Sequence, residues 1–553
     1  MSELRDRTRR TSLAAAATLL AVALVACACT AGDEPERAAG SDAATSDTLA
    51  PEGAPEPGGT LSIGIANETN GWNPHDNQWA QAGSIVGTSI LEPLATLDPE
   101  LRPVPWLATS WTPNDTFDSW TLELREDVTF HDGTAFDAAA VKANLDDINT
   151  APLTGIVWDK ILGDVTVVDD HTVRVGLTEP FASFPTTFLS AQTGIMMAPS
   201  MFSAERRGST HPVGTGPFVF GSWTSGSRFE TTKNPDYWQD GKPYLDGIDF
   251  VILGDSAAIS AALQARDVDL AFTAAISAAQ QAPESFTVLK DWTSEPGMAM
   301  TNTLAEVNGQ PNPVANHHAR LALAHATDQQ ALADAVGEGV ETPNSPFPPN
   351  SPWGMAPEDN GYVDFDVAAA RDEVAAYEAE TGRPLAITLS IVSGPDVAKI
   401  GQLLQSQWAE AGIETSIESA EATTFISNVV GGKYQVALFG FYGSPDPDQN
   451  YHFWSAENAN GAGAISINFT QYTTPTMDEN LRIGRQSADV AARKAAYDAI
   501  VREINGAAVN IWTFSTPYSI IAAPQVHGLQ KAAEVPFGNY QPKTWYADLW
   551  LTR

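Results

Sequence analysis

The stretch that most constrains this chain is the near-continuous apolar run over residues 434–441. A run of that length and composition suits a strand buried on both faces. The residues before it alternate between two periods. Val397, Ile400, Leu404, Trp408 and Ala411 lie on one helical face, and Gly412 supplies a stop. Residues 413–417 then alternate as a strand does. Further upstream, Asp366 can cap a helix with Val367, Ala370, Val374 and Tyr377 on its apolar face, ended by Gly382 and followed by a strand over 385–391. Strand–helix–strand units with short links predict a mainly parallel sheet. Ligands of such sheets bind beyond the carboxyl ends of the strands. The loop Tyr442-Gly443-Ser444-Pro445-Asp446-Pro447-Asp448 is therefore the first place to look for a site.

The first half is also mixed α/β. Residues 59–65, 121–125 and 172–175 alternate apolar with small or polar residues, and a helix is expected over 138–148. At 553 residues and 43% hydrophobic content the chain can build three or four folding units. Its 30 Lys and Arg face 68 Asp and Glu, a net charge of −38 that repels nucleic acid.

Reactive constellations are missing. The sequence holds no H-E-x-x-H, no G-x-S-x-G, no G-x-x-x-x-G-K-[ST] and no G-x-G-x-x-G. Gly214-Thr215-Gly216-Pro217 is a poor phosphate cradle, because Pro lacks an amide donor. His317 and His318 point about 100° apart on a helix and read as a solvated helix start rather than a metal pair. A carboxylate pair acting as a secreted hydrolase is the enzyme-class alternative. The main reading is a binding protein, not an enzyme, with neither cofactor nor metal.

The N-terminus reads as an address. Arg5, Arg7, Arg9 and Arg10 precede an apolar stretch over 13–26 that is too short to span a bilayer. Leu24-Val25-Ala26-Cys27 resembles a bacterial lipobox, which makes residues 1–26 a signal peptide and Cys27 the acylated residue. Residues 8–13 partly resemble a twin-arginine signal. Both cysteines, Cys27 and Cys29, fall at this junction, so the body has no disulfide. Residues 27–58 read as the lipidated Cys and a disordered linker, which places the body outside the cell membrane on a lipid anchor.

Several stretches, in order, resemble the extracellular solute-binding proteins that serve peptide and nickel ABC importers (family 5). They are Asn73-Pro74-His75, Glu92-Pro93-Leu94, Pro103-Val104-Pro105-Trp106-Leu107-Ala108 and the block from Trp120 through Phe130-His131-Asp132-Gly133 to Lys142. Gly214-Thr215-Gly216-Pro217-Phe218, Asn234-Pro235-Asp236-Tyr237-Trp238 and Arg320-Leu321-Ala322-Leu323 continue the likeness. It implies a periplasmic-binding-protein-like α/β fold with two main lobes around a hinge. Lobe I would be 59–95, 206–290 and 511–553. The small strand-rich lobe II would be 96–205, and lobe III 291–510. A monomer that passes an oligopeptide or similar polar solute to ABC permease subunits is implied, or the same fold handing its ligand to a sensor.

The resemblance carries ligand-facing roles onto Asn77, Gln78 and Trp79 after the first strand and onto Trp158 in lobe II. It also carries them onto Tyr442, Ser444 and Asp446 in the marked loop, and onto Trp512 and Phe514 on a strand returning into lobe I. For each Trp, core packing is the competing reading. For Asp446 and Asp448 it is turn chemistry. Peptide-binding members use an Asp in this loop to hold the peptide's amino group, and here Ser444 occupies the corresponding place. Asp446 substitutes only if the loop shifts. Otherwise a solute without a free amino terminus, such as an oligosaccharide stacked on Trp, is the alternative.

Overall fold

The computed structural model describes residue 49 and residues 52–552, apart from 70, 78, 80, 152–153, 204–209, 292–295, 338, 350, 442–443, 517 and 536–540. The expected signal peptide, Cys27, Gln78 and Tyr442 lie outside the described residues. Among the described residues no helix is long and apolar enough to cross a membrane. The chain forms two compact units, with the crossings at 291/292 and 517/518.

The unit made from both ends of the chain centres on a seven-stranded sheet. Its strand order is Phe218–Thr224, Arg228–Lys233, Gly247–Ile252, Thr60–Ile65, Leu270–Thr273, Ser519–Ala522 and Thr287–Lys290. Thr60–Ile65 runs parallel to both of its neighbours. It is central, and accordingly Leu61, Ile63 and Ile65 are all buried. A separate antiparallel sheet orders Ala108–Pro113, Ser119–Leu124, Thr172–Leu177 and Leu162–Asp169. The helix Ala138–Thr150 starts where Asp137 accepts the Ala140 amide, an N-cap that satisfies one orphan donor. Residues at the end of the expected linker are held: Glu52 accepts the Gly528 amide at 2.8 Å, and the Gly58 amide donates to the Tyr244 carbonyl at 2.8 Å.

The other unit has a five-stranded sheet, ordered Glu414–Ala420, Ala386–Val392, Val436–Gly440, Pro296–Thr301 and Asn510–Ser515. The first three strands are parallel and Pro296–Thr301 is antiparallel to both its neighbours. The apolar run is the middle strand, buried on both faces from Val436 to Phe439. Helix Val367–Thr381 is capped by Asp366 and ends at a left-handed Gly382. Helix Pro395–Glu410 buries Ile400, Leu404 and Trp408 against the sheet's first core. The second face is aromatic, with Phe439, Phe441, Trp454, Phe469 and Trp512. Asn510–Ser515 pairs with Pro296–Thr301, so this strand sits in the unit of residues 296–516 and not in the one expected to begin at 511. The error is physical: an apolar strand near a crossing reads the same whichever sheet receives it.

The motif stretches of the first unit meet at one carboxylate. Glu92 is 2% exposed. Its Oε1 accepts from Tyr237 Oη at 2.8 Å and Trp106 Nε1 at 2.9 Å, and its Oε2 from Thr215 Oγ1 at 2.8 Å and Trp238 Nε1 at 3.1 Å. Burial pushes the carboxyl pKa up, and the four donors from Tyr237, Thr215, Trp238 and Trp106 pull it back. The loop reaches Glu92 because Gly214 and Gly216 lie against the Ile90 carbonyl, where a Cβ would sit 2.2 and 2.6 Å from the oxygen. His131 joins the same loop, its Nε2 lying 2.9 Å from the Gly216 carbonyl and its amide donating to Gly214. Glu92→Gln turns one acceptor into a donor and leaves a buried partner unmatched. It should lower the unfolding free energy by about 1–3 kcal/mol in urea titration; an unchanged midpoint would mean the cluster is not a keystone.

Candidate functional site

Each sheet has a carboxyl edge, and the chain crossings leave from these edges. In the first unit the parallel strands end at Ile65, Ile252 and Thr273. Ser519 pairs with both Thr273 and Lys290, which puts Tyr518 and Asp291 on the same edge. The Asp291 amide donates to the Tyr518 carbonyl at 2.7 Å. Beside them is Lys543, only 1% exposed, whose Nζ donates to the Gln541 carbonyl at 2.6 Å and to Ser84 Oγ at 3.2 Å. Burial drives the Lys543 pKa down to about 7, with Asp291 opposing.

The loop after Thr60–Ile65 is tightly built. His75 Nδ1 lies 2.9 Å from Asp147 Oδ2, both buried. Asn77, 6% exposed, donates its side-chain amide to the Asn73 carbonyl at 3.0 Å, and its own carbonyl accepts from Gln192 Nε2 at 2.7 Å. The Trp79 ring packs on Gly83 and Gly87 so closely that a Cβ at either would lie 2.5 Å from it. Trp158 ends a short helix, Gly155–Trp158, stacked parallel to Phe181 and edge-on to Phe188 at 4.7 Å. Thr154 ties that helix to the loop through the His75 carbonyl at 3.3 Å. The loop that carries Asn77 and Trp79 is thus tied to the short helix that ends at Trp158.

In the second unit the marked loop leaves the carboxyl end of Val436–Gly440, as the strand argument requires. Asp446 is buried and accepts from Arg493 Nη2 at 2.6 Å, while its Oδ1 also takes the Asp448 amide at 2.9 Å. Asp448 faces Arg485 Nε at 3.2 Å and Tyr497 Oη at 3.1 Å. Arg485 in turn lies over the Tyr451 ring at 3.4 Å. Burial pushes the Asp448 carboxyl up, with Arg485 opposing it. These charges are out of water and hold one another. Ser444 is half-buried, and its Oγ accepts from Asn450 Nδ2 at 2.5 Å. Trp512 is fully buried, bonded through Nε1 to Asn505 Oδ1 at 2.9 Å and edge-on to Phe441. Phe514 is buried in the sheet's other core.

Neither Glu92 nor the Arg485–Arg493 pair was singled out from the sequence. Glu92 carried a signal: a carboxylate inside the apolar run Ile90-Leu91-Glu92-Pro93-Leu94 must be met by donors or face water. The arginines carried none, since they lie 37 and 47 residues from their partners.

Two mixed α/β units, each with a carboxyl-edge loop cluster beside its chain crossings, make the fold of a periplasmic binding protein. The comparisons agree. The sequence description of bacterial extracellular solute-binding proteins, family 5, matches residues 102–462, so the chain belongs to that family. The glutathione-binding protein GsiB of Escherichia coli strain K12 is 27% identical over 445 residues, covering 76% of this chain and 82% of the relative. Among solved structures, AgaA of A. tumefacien R10 in complex with agropinic acid superposes with a TM-score of 0.75 at 21% identity, covering 90% of this chain and 99% of that one. DppA of Helicobacter pylori with the peptide STSA gives 0.73 at 22% identity, covering 88% and 99%. These relatives are solute-binding proteins, not enzymes, and proteins of this family work outside the cytoplasm with importer permeases.

The close packing of Trp79 gives its removal a measurable cost. Trp79→Ala should destabilise the ligand-free protein by about 3–5 kcal/mol, because a buried ring leaves a cavity; scanning calorimetry reads this as a lowered Tm. Lys543 gives a second test. Between pH 7 and the unfolded value near 10.4 the folded Lys543 is neutral while the unfolded chain binds a proton, so stability rises with pH by up to about 1.4 kcal/mol per unit. Lys543→Met should flatten that slope in urea titrations run from pH 7 to 9.

Proposed function

We propose that this chain is the lipid-anchored receptor of an ABC importer, held through Cys27, that captures a peptide-sized polar solute between its lobes I and III and delivers it to the permease. Family membership and the likeness to the glutathione-binding GsiB support the class of solute. The observation that narrows it is in the marked loop. Asp446 and Asp448 are both engaged by arginines of their own unit, which leaves Ser444 as the neutral polar side chain described at the loop's start. A free ammonium in a closed cleft needs a carboxylate partner. This loop is therefore suited to a solute whose amino group is absent, modified or bonded elsewhere.

Closure over the solute stabilises the closed state only through contacts the open state lacks. The test is a thermal-shift panel of glutathione, tri- and tetrapeptides, their N-acetylated forms and oligosaccharides, with mass spectrometry of what is recovered. A bound solute should raise Tm by mass action and emerge intact. N-acetylation of the best peptide should change Kd by less than about threefold, whereas losing a buried ion pair costs about 2–5 kcal/mol, thirtyfold or more. A large acetylation penalty would return the ammonium contact to Asp446. A cleaved product would point to a hydrolase.

A further inference from the structure

The outermost strand of a sheet shows unpaired amides and carbonyls to whatever lies beside it, and stable proteins blunt such edges with bulges, short strands or covers. Among the described residues, five of the six edges of the three larger sheets are treated in this way. Phe218–Thr224 breaks register between Phe220 and Ser222, and Thr287–Lys290 is only four residues long. Ala108–Pro113 breaks register between Ala108 and Ser110, and Leu162–Asp169 does so twice. Asn510–Ser515 is covered, because Ser515 pairs with Glu341 and the Trp512 carbonyl accepts from Gln329 Nε2 at 2.9 Å. The sixth edge is Glu414–Ala420. Its seven residues pair with Ala386–Val392 in an unbroken parallel register.

The Glu414 amide donates to the Leu385 carbonyl at 2.9 Å, and the Ala420 carbonyl accepts the Ser393 amide at 2.8 Å. Main-chain groups alternate in direction along a strand. The even-numbered residues therefore bond inward, and Thr415, Ile417 and Ser419 aim their amides and carbonyls outward. Gln405 Nε2 takes the Thr415 carbonyl at 2.6 Å. The main-chain groups of Ile417 and Ser419 meet no outward partner among the described residues. Side chains alternate as well: Ile417 packs on the sheet's first core, so Glu414, Ser416 and Glu418 stand on the opposite face, where all three are exposed. Glu421 is exposed just past the strand, and none of the three glutamates has a cationic partner among the described residues.

An open, regular edge is a template for one more strand. Its charge says which strand. A second copy of this chain paired edge to edge would set glutamates against glutamates, and like charges directly opposite are destabilising. In an antiparallel addition Glu418 falls in a non-hydrogen-bonded pair, where facing side chains come closest. A Lys or Arg there meets an uncompensated carboxylate. We propose that the outer edge of Glu414–Ala420 is a docking site for a basic extended segment of a partner protein, which adds to the sheet as an antiparallel strand on the main-chain groups of Ile417 and Ser419. The site belongs to residues 296–516 alone and stands whatever solute the receptor carries.

The outward amides supply the readout. The full chain is titrated with N-acetylated, C-amidated Thr-Lys-Val-Lys-Val-Lys-Thr and with the same peptide carrying Glu for Lys. Hydrogen exchange is followed residue by residue, by mass spectrometry with electron-transfer fragmentation. The Lys peptide should slow exchange of the Ile417 and Ser419 amides by about tenfold or more, leaving the inward Ser416 and Glu418 amides unchanged. Glu418→Lys reverses the charge, and Ser419→Pro removes only an outward donor. Each should weaken the Lys peptide by about fivefold or more, as should raised salt. If Ser419→Pro melts, Glu418→Lys, at an exposed position, carries the test. Peptide binding that leaves the Ile417 and Ser419 amides unprotected would place the peptide elsewhere, the solute cleft included, and overturn the site. Equal protection by the Glu peptide would overturn the basic partner. Protection that grows with protein concentration alone would make the occupant a second copy of this chain and overturn the proposal.

Discussion

A carboxylate with no cation in contact among the described residues holds the motif segments of the first unit in register. Glu92 accepts hydrogen bonds from four residues that lie 14 to 146 positions away in sequence. In the low-dielectric interior each bond is stronger than in water, and each unmatched group is costlier. The arrangement therefore leaves little tolerance for misplacing a segment. The Gly-Thr-Gly-Pro loop can approach only because its glycines leave room for the Ile90 carbonyl. Arg125 completes the shell, with Nε donating to the Trp106 carbonyl at 2.6 Å and its guanidinium 4.0 Å from the centre of the Trp238 ring. Stretches that look unrelated along the chain are the walls of one buried polar box.

The second unit meets the same problem with opposite means. Asp446 and Asp448 are paired with Arg493 and Arg485. Breaking such a pair by removing one partner strands a buried charge at a cost of about 3–5 kcal/mol. Its effect is to fix the first turn of the loop after the central strand, because Asp446 also caps the short helix Pro447–Asn450. The loop is stiffened from behind, and what it offers outward is neutral.

Regular elements were legible because their signals are local. Asp366 with Gly382 marks both ends of a helix, and the run at 434–441 marks a two-sided buried strand. Trp79, Trp158 and Trp512 show where legibility stops. A large aromatic next to a strand end looks the same whether it lines a cleft or fills a core, and all three are buried. The sheet that receives residues 510–515 could not be chosen either, since sheet membership depends on a partner some 210 residues away. Asp446 reads as a ligand anchor or as turn chemistry; the structure adds a cap and a paired arginine, and the arginine left no local trace in the sequence.

One unit is assembled from the two ends of the chain. Ser84 Oγ donates to the Gln541 carbonyl, Thr88 Oγ1 accepts the Lys543 amide, and Trp545, Tyr546 and Trp550 fill the interior. Its first strand is synthesised early, yet the surfaces it must cover and be covered by come last. The ribosome has to reach residues 518–551 before this half can close, whereas residues 296–516 form a contiguous block that can fold on its own schedule. A newborn chain is thus kept half-open until these late residues emerge, a delay that favours any machinery that needs to engage it unfolded.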